Sequence, residues 1–186
     1  MYVRNSAKYG KEIKIIHPGE LYASDRDEII GTLLGSCVAV CLFDPTKGIS
    51  GMNHFMLPGR ITHMDIQKDR TAKYGITAIN ELLGEMKKLG ARRNDMVAKI
   101  FGGGEVLNNV IQSTTIPADN IRIAKVMMEM EDIQIAEQDV GSNFTRKLLM
   151  EVKTGKVYLK KSTRGDVFEE AVSEETEYAK SLGRKK

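Results

Sequence analysis

The sequence predicts an α+β fold with a largely antiparallel sheet. Two observations point there: neighbouring strand-like runs are joined by short turns, and two amphipathic helical stretches interrupt them. A third is that no strand leads into GxGxxG or into GxxxxGK followed by Ser or Thr, so the usual dinucleotide and P-loop signals are missing. The 186 residues suit a single domain long enough to bury its own core without a disulfide or metal staple.

In chain order, residues 1–31 are polar, with one predicted strand at Ile13–Ile16 before the His17-Pro18-Gly19 punctuation. Cys37–Phe43 is β-branched and aromatic, bounded by Gly35 and by Asp44-Pro45, and reads as a buried strand. Ser50–Leu57 reads as its hairpin partner across the Asp44–Ile49 turn or loop, which contains Pro45 and Gly48, and is stopped by Pro58-Gly59. Thr71–Leu89 carries Ala72, Ile76, Ile79, Leu82, Leu83, Met86 and Leu89 at helical spacing, with Asp69 to cap its start and Gly90 its end. Val97–Phe101 reads as a strand running into Gly102-Gly103-Gly104. Ala118–Glu131 is a second amphipathic helix, with Ile121, Ala124, Val126, Met127 and Met128 as its apolar face. Ile133–Glu137 is a strand, and Lys147–Val152 with Lys156–Lys161 a hairpin about Thr154-Gly155. From Ser162 the chain turns charged, and Glu169–Leu182 reads as an exposed or partner-docking helix.

Composition narrows the function. Lys and Arg total 28 against 25 Asp and Glu, a net charge of +3, which is too even for a nucleic-acid binder declared by charge. The longest apolar run, Cys37–Phe43, is far short of the roughly 20 residues a membrane span needs. The first residues lack the apolar core of a signal peptide, and the two cysteines lie in an apolar stretch rather than a disulfide framework. A cytoplasmic protein that does not insert in membranes is the expectation.

The chemistry concentrates at Leu33-Leu-Gly-Ser-Cys37 and Met52-Asn-His54. A Cys nucleophile needs a base and a donor for the oxyanion. Symmetric pairing about the turn sets His54 opposite Ala39, on the side of Cys37, at the roughly 7–8 Å of a diagonal neighbour. A one-residue slip would send His54 to the other face. Gly35 and Ser36 form a turn whose free N–H groups can serve an oxyanion. Against this stands the plainer reading, a structural thiol at Cys37 and a hydrogen-bonded core imidazole at His54. Cys41, mid-strand, reads as a small hydrophobe, while His17 and His63 read as surface residues.

Cys37, Cys41, His54 and His63 spell C-x3-C-x12-H-x8-H, whose last interval is too long for a zinc finger and whose thiols an extended strand holds apart. No metal and no cofactor is expected. Gly102-Gly103-Gly104 reads as a tight turn, with an anion cradle as the alternative. Met127, Met128 and Met130 read as packing.

Thr32-Leu-Leu-Gly-Ser-Cys37-Val-Ala-Val-Cys-Leu-Phe-Asp-Pro45 and Gly51-Met-Asn-His-Phe-Met-Leu-Pro58 resemble the CheD family of chemoreceptor glutamine deamidases. Lys73-Tyr74-Gly75, Ala98–Gly104, Glu137–Gly141 and the Thr154-Gly155 hairpin continue the likeness, which covers about residues 13–161. The resemblance implies a layered αββα sandwich similar to deamidating bacterial toxins; residues 1–161 are read as that domain, and 162–186, beyond the resemblance, as a charged tail. It implies hydrolysis of glutamine side-chain amides in the cytoplasmic helices of chemoreceptors, with Cys37 as nucleophile and His54 as base. It also implies a CheC-type phosphatase as a possible partner, so a non-catalytic regulator of that phosphatase is the alternative function.

The family's third catalytic residue is a Thr at the position occupied here by Gly31. Thr32 is the candidate in its place, reaching His54 through a backbone bend at Gly31 or Gly35. Should Thr32 point away, a backbone carbonyl is the alternative.

Overall fold

The computed structural model describes residues 1–56, 75–106 and 116–183. The strands are β1 (Tyr2–Ser6), β2 (Lys11–Ile15), β3 (Leu21–Ser24), β4 (Ile29–Leu34), β5 (Val38–Asp44), β6 (Ile49–Asn53), β7 (Val97–Gly102), β8 (Gln134–Val140), β9 (Thr145–Glu151) and β10 (Val157–Ser162). The helices are α1 (Gly75–Lys88), α2 (Ile116–Met130) and α3 (Asp166–Gly183). The strands form two five-stranded sheets, ordered β1-β2-β4-β9-β10 and β3-β6-β5-β7-β8. Among the described strands only β2–β4 and β7–β8 run parallel, so the fold is α+β with mostly antiparallel pairing.

Alternation sorts the side chains into layers. Val38, Val40 and Leu42 of β5 pack outward with Ile79, Leu82 and Met86 of α1 and Ala124 and Met128 of α2. Cys37, Ala39 and Cys41 point the other way, into a second core with Ile30 and Leu34 of β4 and Leu148 and Met150 of β9. That second core fills the space between the sheets. Val172 and Tyr178 of α3 pack against it, and Ala171 is fully buried.

The N-terminal region departs from expectation. Residues 2–34 contain four strands where the pattern predicts one. β1 is an exposed edge strand, so it carries no buried alternation to read. β4 is apolar, but Gly31 and Thr32 interrupt its pattern. β6 ends at Asn53, short of the predicted Leu57; Phe55 adds only an isolated bridge to Val38. Leu57, His63, the Asp69 cap and residues 71–74 lie outside the described residues. In α2, Met127 and Met128 are buried as expected, but Met130 is 73% exposed and Val126 45%.

Candidate active site

The chain leaves β4 in one sheet at Leu34 and enters β5 in the other at Val38. Residues 35–37 make the crossing, so their N–H groups belong to neither ladder. The expected hairpin register is observed: Cys41 pairs with Met52, Leu42 with Gly51, and Val38 bridges Phe55. Continuing it places His54 opposite Ala39, facing the layer that holds Cys37.

Thr32 comes to this point from the other sheet. Its Oγ1 lies 2.8 Å from His54 Nδ1 and donates to the Ile16 carbonyl at 2.8 Å. No bend is needed. β4 is regular through Thr32, which pairs with Leu148, and the facing of the two sheets brings Thr32 to His54. Gly31 points to the opposite side of β4, where an added Cβ would lie 2.8 Å from Ile15 Cδ1 and 2.9 Å from Leu149 Cδ2. The backbone carbonyl offered as the alternative orienting group is present as well, one bond further on, in Ile16.

This arrangement fixes the imidazole tautomer. The Thr32 hydroxyl has one proton and gives it to Ile16, so His54 must donate from Nδ1. Nε2 then carries a free lone pair in a fully buried position, and it has no hydrogen-bond partner among the described residues. Two backbone bonds hold the ring's own residue: His54 N–H donates to Glu20 O at 2.9 Å, and Gly19 N–H to His54 O at 2.8 Å. Burial, with the nearby charge of His17 second, pulls His54 down to about 3, so the ring is neutral.

The crossing loop is braced from behind. Gly103 N–H donates to Cys37 O at 2.7 Å, Gly104 N–H to Gly35 O at 2.7 Å, and Asn120 Nδ2 to Ser36 O at 3.2 Å. Gly102 has a φ of 112°, and a Cβ there would lie 2.2 Å from the Cys37 carbonyl oxygen. The glycine run is therefore a turn that holds the 35–37 crossing loop in place. The N–H groups of Gly103 and Gly104 are spent on that loop and cannot cradle an anion.

With their carbonyls tied back, the N–H groups of residues 35–37 point into the site. All three converge on the Glu175 carboxylate of α3: Gly35 N–H donates to Oε1 at 2.7 Å, Ser36 N–H to Oε2 at 2.6 Å and Cys37 N–H to Oε1 at 3.0 Å. The Ser36 hydroxyl adds a fourth bond to Oε2 at 2.8 Å. Gly35 is needed for this approach, since a Cβ would sit 2.7 Å from Oε2. Burial pushes the Cys37 thiol well above its ordinary value, and the charge and hydrogen bond of Glu175 push it further. Cys41 lies in mid-strand, fully buried, and burial pushes it up to about 12.

The thiol of Cys37, the ring of His54 and the carboxylate of Glu175 offer ligand atoms within 4.8 Å of one another, the one such cluster among the described residues. It does not include Cys41, and His63 lies outside the described residues. The carboxylate is already taken up by four N–H and O–H donors, the environment of an anion or oxyanion. A cavity of about 440 Å³ lies elsewhere, lined by Leu83, Lys87, Arg92, Arg93, Met96 and Glu131.

Sequence reasoning missed Glu175, Asn120 and the bracing role of the glycine run. Glu175 sits in a stretch of acidic residues, where any one glutamate looks solvated.

A relative from Hahella chejuensis, "Probable chemoreceptor glutamine deamidase CheD", is 36% identical across 98% of this chain and 86% of its own length. The chain belongs to the CheD family. The family profile, described as "CheD chemotactic sensory transduction", matches residues 56–161 and so begins just after His54. Relatives of the same printed name reach further: one from Sulfurimonas denitrificans is 41% identical over 80% of this chain and 94% of its own, and one from Laribacter hongkongensis is 41% identical over 77% and 69%. A crystal structure of the Bacillus licheniformis hypothetical protein YfiH aligns with a TM-score of 0.40 at 14% identity, covering 64% of this chain and 49% of that one. No described helix is long and apolar enough to cross a membrane.

Proposed function

We propose that this protein hydrolyses glutamine side-chain amides in the cytoplasmic helices of chemoreceptors, giving glutamate and ammonia. The names of its relatives supply the substrate class. The observation that carries the chemistry is the tautomer lock on His54, which leaves Nε2 unprotonated beside the thiol of Cys37.

Cys37 is the nucleophile. His54 Nε2 takes the thiol proton, and the sulfur attacks the amide carbon. The carbonyl oxygen becomes an oxyanion in reach of the N–H groups of residues 35–37, which the bracing bonds hold in place before any substrate arrives. Gly35 and Ser36 thus take the oxyanion role, with the Cys37 N–H beside them. The amide C–N bond breaks as His54 returns its proton to the leaving nitrogen. Water, deprotonated by His54, adds to the thioester; the C–S bond breaks and glutamate leaves. Thr32 positions the ring through both halves.

The test is mass spectrometry on a purified receptor cytoplasmic fragment incubated with the protein. The reading expects a gain of about 1 Da at particular glutamines, matched by ammonia and absent with Cys37→Ala. A fragment bound but unchanged in mass would favour the alternative, a non-catalytic regulator of a CheC-type phosphatase.

A further inference from the structure

We propose that α3 is a tethered product mimic, holding the active-site groove shut by placing the Glu175 carboxylate where the carboxyl group of a converted glutamine would lie. This rests on the deamidase reading above. Glu175 is fully buried on a helix whose first turn bears Asp166 and Glu169. A buried carboxylate normally demands a cation. Among the described residues no Lys or Arg pairs with Glu175, and its nearest ring nitrogen, His54 Nε2 at 3.9 Å, belongs to a neutral imidazole. Its charge is met instead by the three backbone N–H groups and the hydroxyl of the nucleophile loop. Those are the donors an acyl oxygen needs.

The chemical identity is close. A glutamate side chain entering from a helix is what the reaction leaves behind when a helix-borne glutamine is converted. The seat beside the loop is filled here by a helix. Ala171, Glu175 and Tyr178 lie on one helical face, at i, i+4 and i+7. Ala171 is fully buried. Tyr178 lies over Gly19, whose φ is 84° and where a Cβ would stand 2.7 Å from the phenolic oxygen. At the groove rim His17 Nδ1 lies 3.5 Å from Glu174 Oε1. A substrate helix in this groove would carry its glutamine with a small residue four positions before it and room for a ring three positions after.

Glu175 is not a third member of the catalytic set. The Nδ1 side of His54 is already held by Thr32, and a carboxylate that takes all three loop donors leaves none for an oxyanion. Its charge also disfavours the Cys37 thiolate. Turnover on another chain requires α3 to lift, so a receptor helix competes with a tethered one.

Full-length Glu175→Gln makes the mimic a substrate. The thiolate of Cys37 bonds the carboxamide carbon, the C–N bond breaks and ammonia leaves with the proton from His54; water then breaks the C–S bond and restores glutamate. Intact-mass and peptide sequencing should find residue 175 converted, a gain of about 1 Da, or the thioester caught at a loss of about 17 Da. Neither should occur with Cys37→Ala added. A residue 175 that stays glutamine in protein active on a receptor fragment would overturn the proposal and leave the deamidase reading intact. A second variant, Ala171→Arg, crowds the helix out without touching the site. It should speed iodoacetamide labelling of Cys37 roughly tenfold, with Cys41 still slow. Unchanged labelling, or equal labelling of both thiols as in general unfolding, would count against α3. Faster Cys37 labelling with no variant converting a receptor fragment would leave the tethered helix standing and remove the receptor substrate.

Discussion

Cys37 and Cys41 sit on the same face of the chain and are equally buried. Burial lifts both thiols, Cys41 to about 12 and Cys37 well above its ordinary value. Exposure and acidity therefore do not tell them apart. The backbone does. Cys41 is inside the sheet, paired with Met52 on one side and Lys99 on the other. Cys37 lies where the chain crosses between sheets, beside N–H groups that no ladder uses. The lesson is that Cys37 differs from Cys41 by a break in hydrogen-bonding regularity, with the His54 imidazole placed near it just past the end of the neighbouring strand.

The largest effect should come from removing one thiol at a time. Cys37→Ala should abolish ammonia release and leave the fold intact, whereas Cys41→Ala should keep turnover and cost about 1–3 kcal/mol of stability on chemical denaturation. Loss of turnover in Cys41→Ala at unchanged stability would break the comparison. His54→Ala should lower kcat roughly 10²–10⁴-fold, because the base serves both half-reactions.

Thr32→Val sharpens it next. It keeps the shape, removes the acceptor for Nδ1–H and leaves Ile16 O without its donor. Turnover should fall roughly tenfold or more, with about 1–3 kcal/mol of stability lost. Gly31→Thr should not raise activity, since that side chain would press on Ile15 and Leu149 on the far side of β4. An activity gain there would show that the hydroxyl at the family's usual position reaches the ring after all.

The smallest effect is on the pH dependence of stability. His54 is held near 3 in the folded protein, below its ordinary value of 6.5. Between these limits the unfolded chain binds the extra proton, so His54 contributes stability above about pH 6.5 that is lost as pH falls toward 3. Thermal melts of His54→Gln should show a shallower decline across that window than the wild type. An identical slope would mean that the ring is not held neutral.

The hairpin and its register were legible because β-branched residues flank a Pro-Gly turn, and that register alone sets His54 on the side of Cys37. The free N–H groups were legible in outline from Gly35-Ser36. The route of Thr32 was not: sequence reasoning follows one strand at a time, whereas Thr32 meets His54 across two sheets, without any bend. The edge strands β1 and β3 were hidden because an exposed or four-residue strand has no buried alternation to betray it. Glu175 was hidden because burial of one carboxylate in an acidic helix is a tertiary event, set by donors 138–140 residues away in the chain.

The account is tested most directly by locating the covalent intermediate. Protein mixed with a receptor fragment and quenched in acid within the first turnover can be digested and sequenced by mass spectrometry. The prediction is a thioester joining the glutamyl group of a former substrate glutamine to Cys37, ammonia having left, and no such adduct in Cys37→Ala. A thioester on Cys41, or glutamate formed at the normal rate in Cys37→Ala, would contradict it.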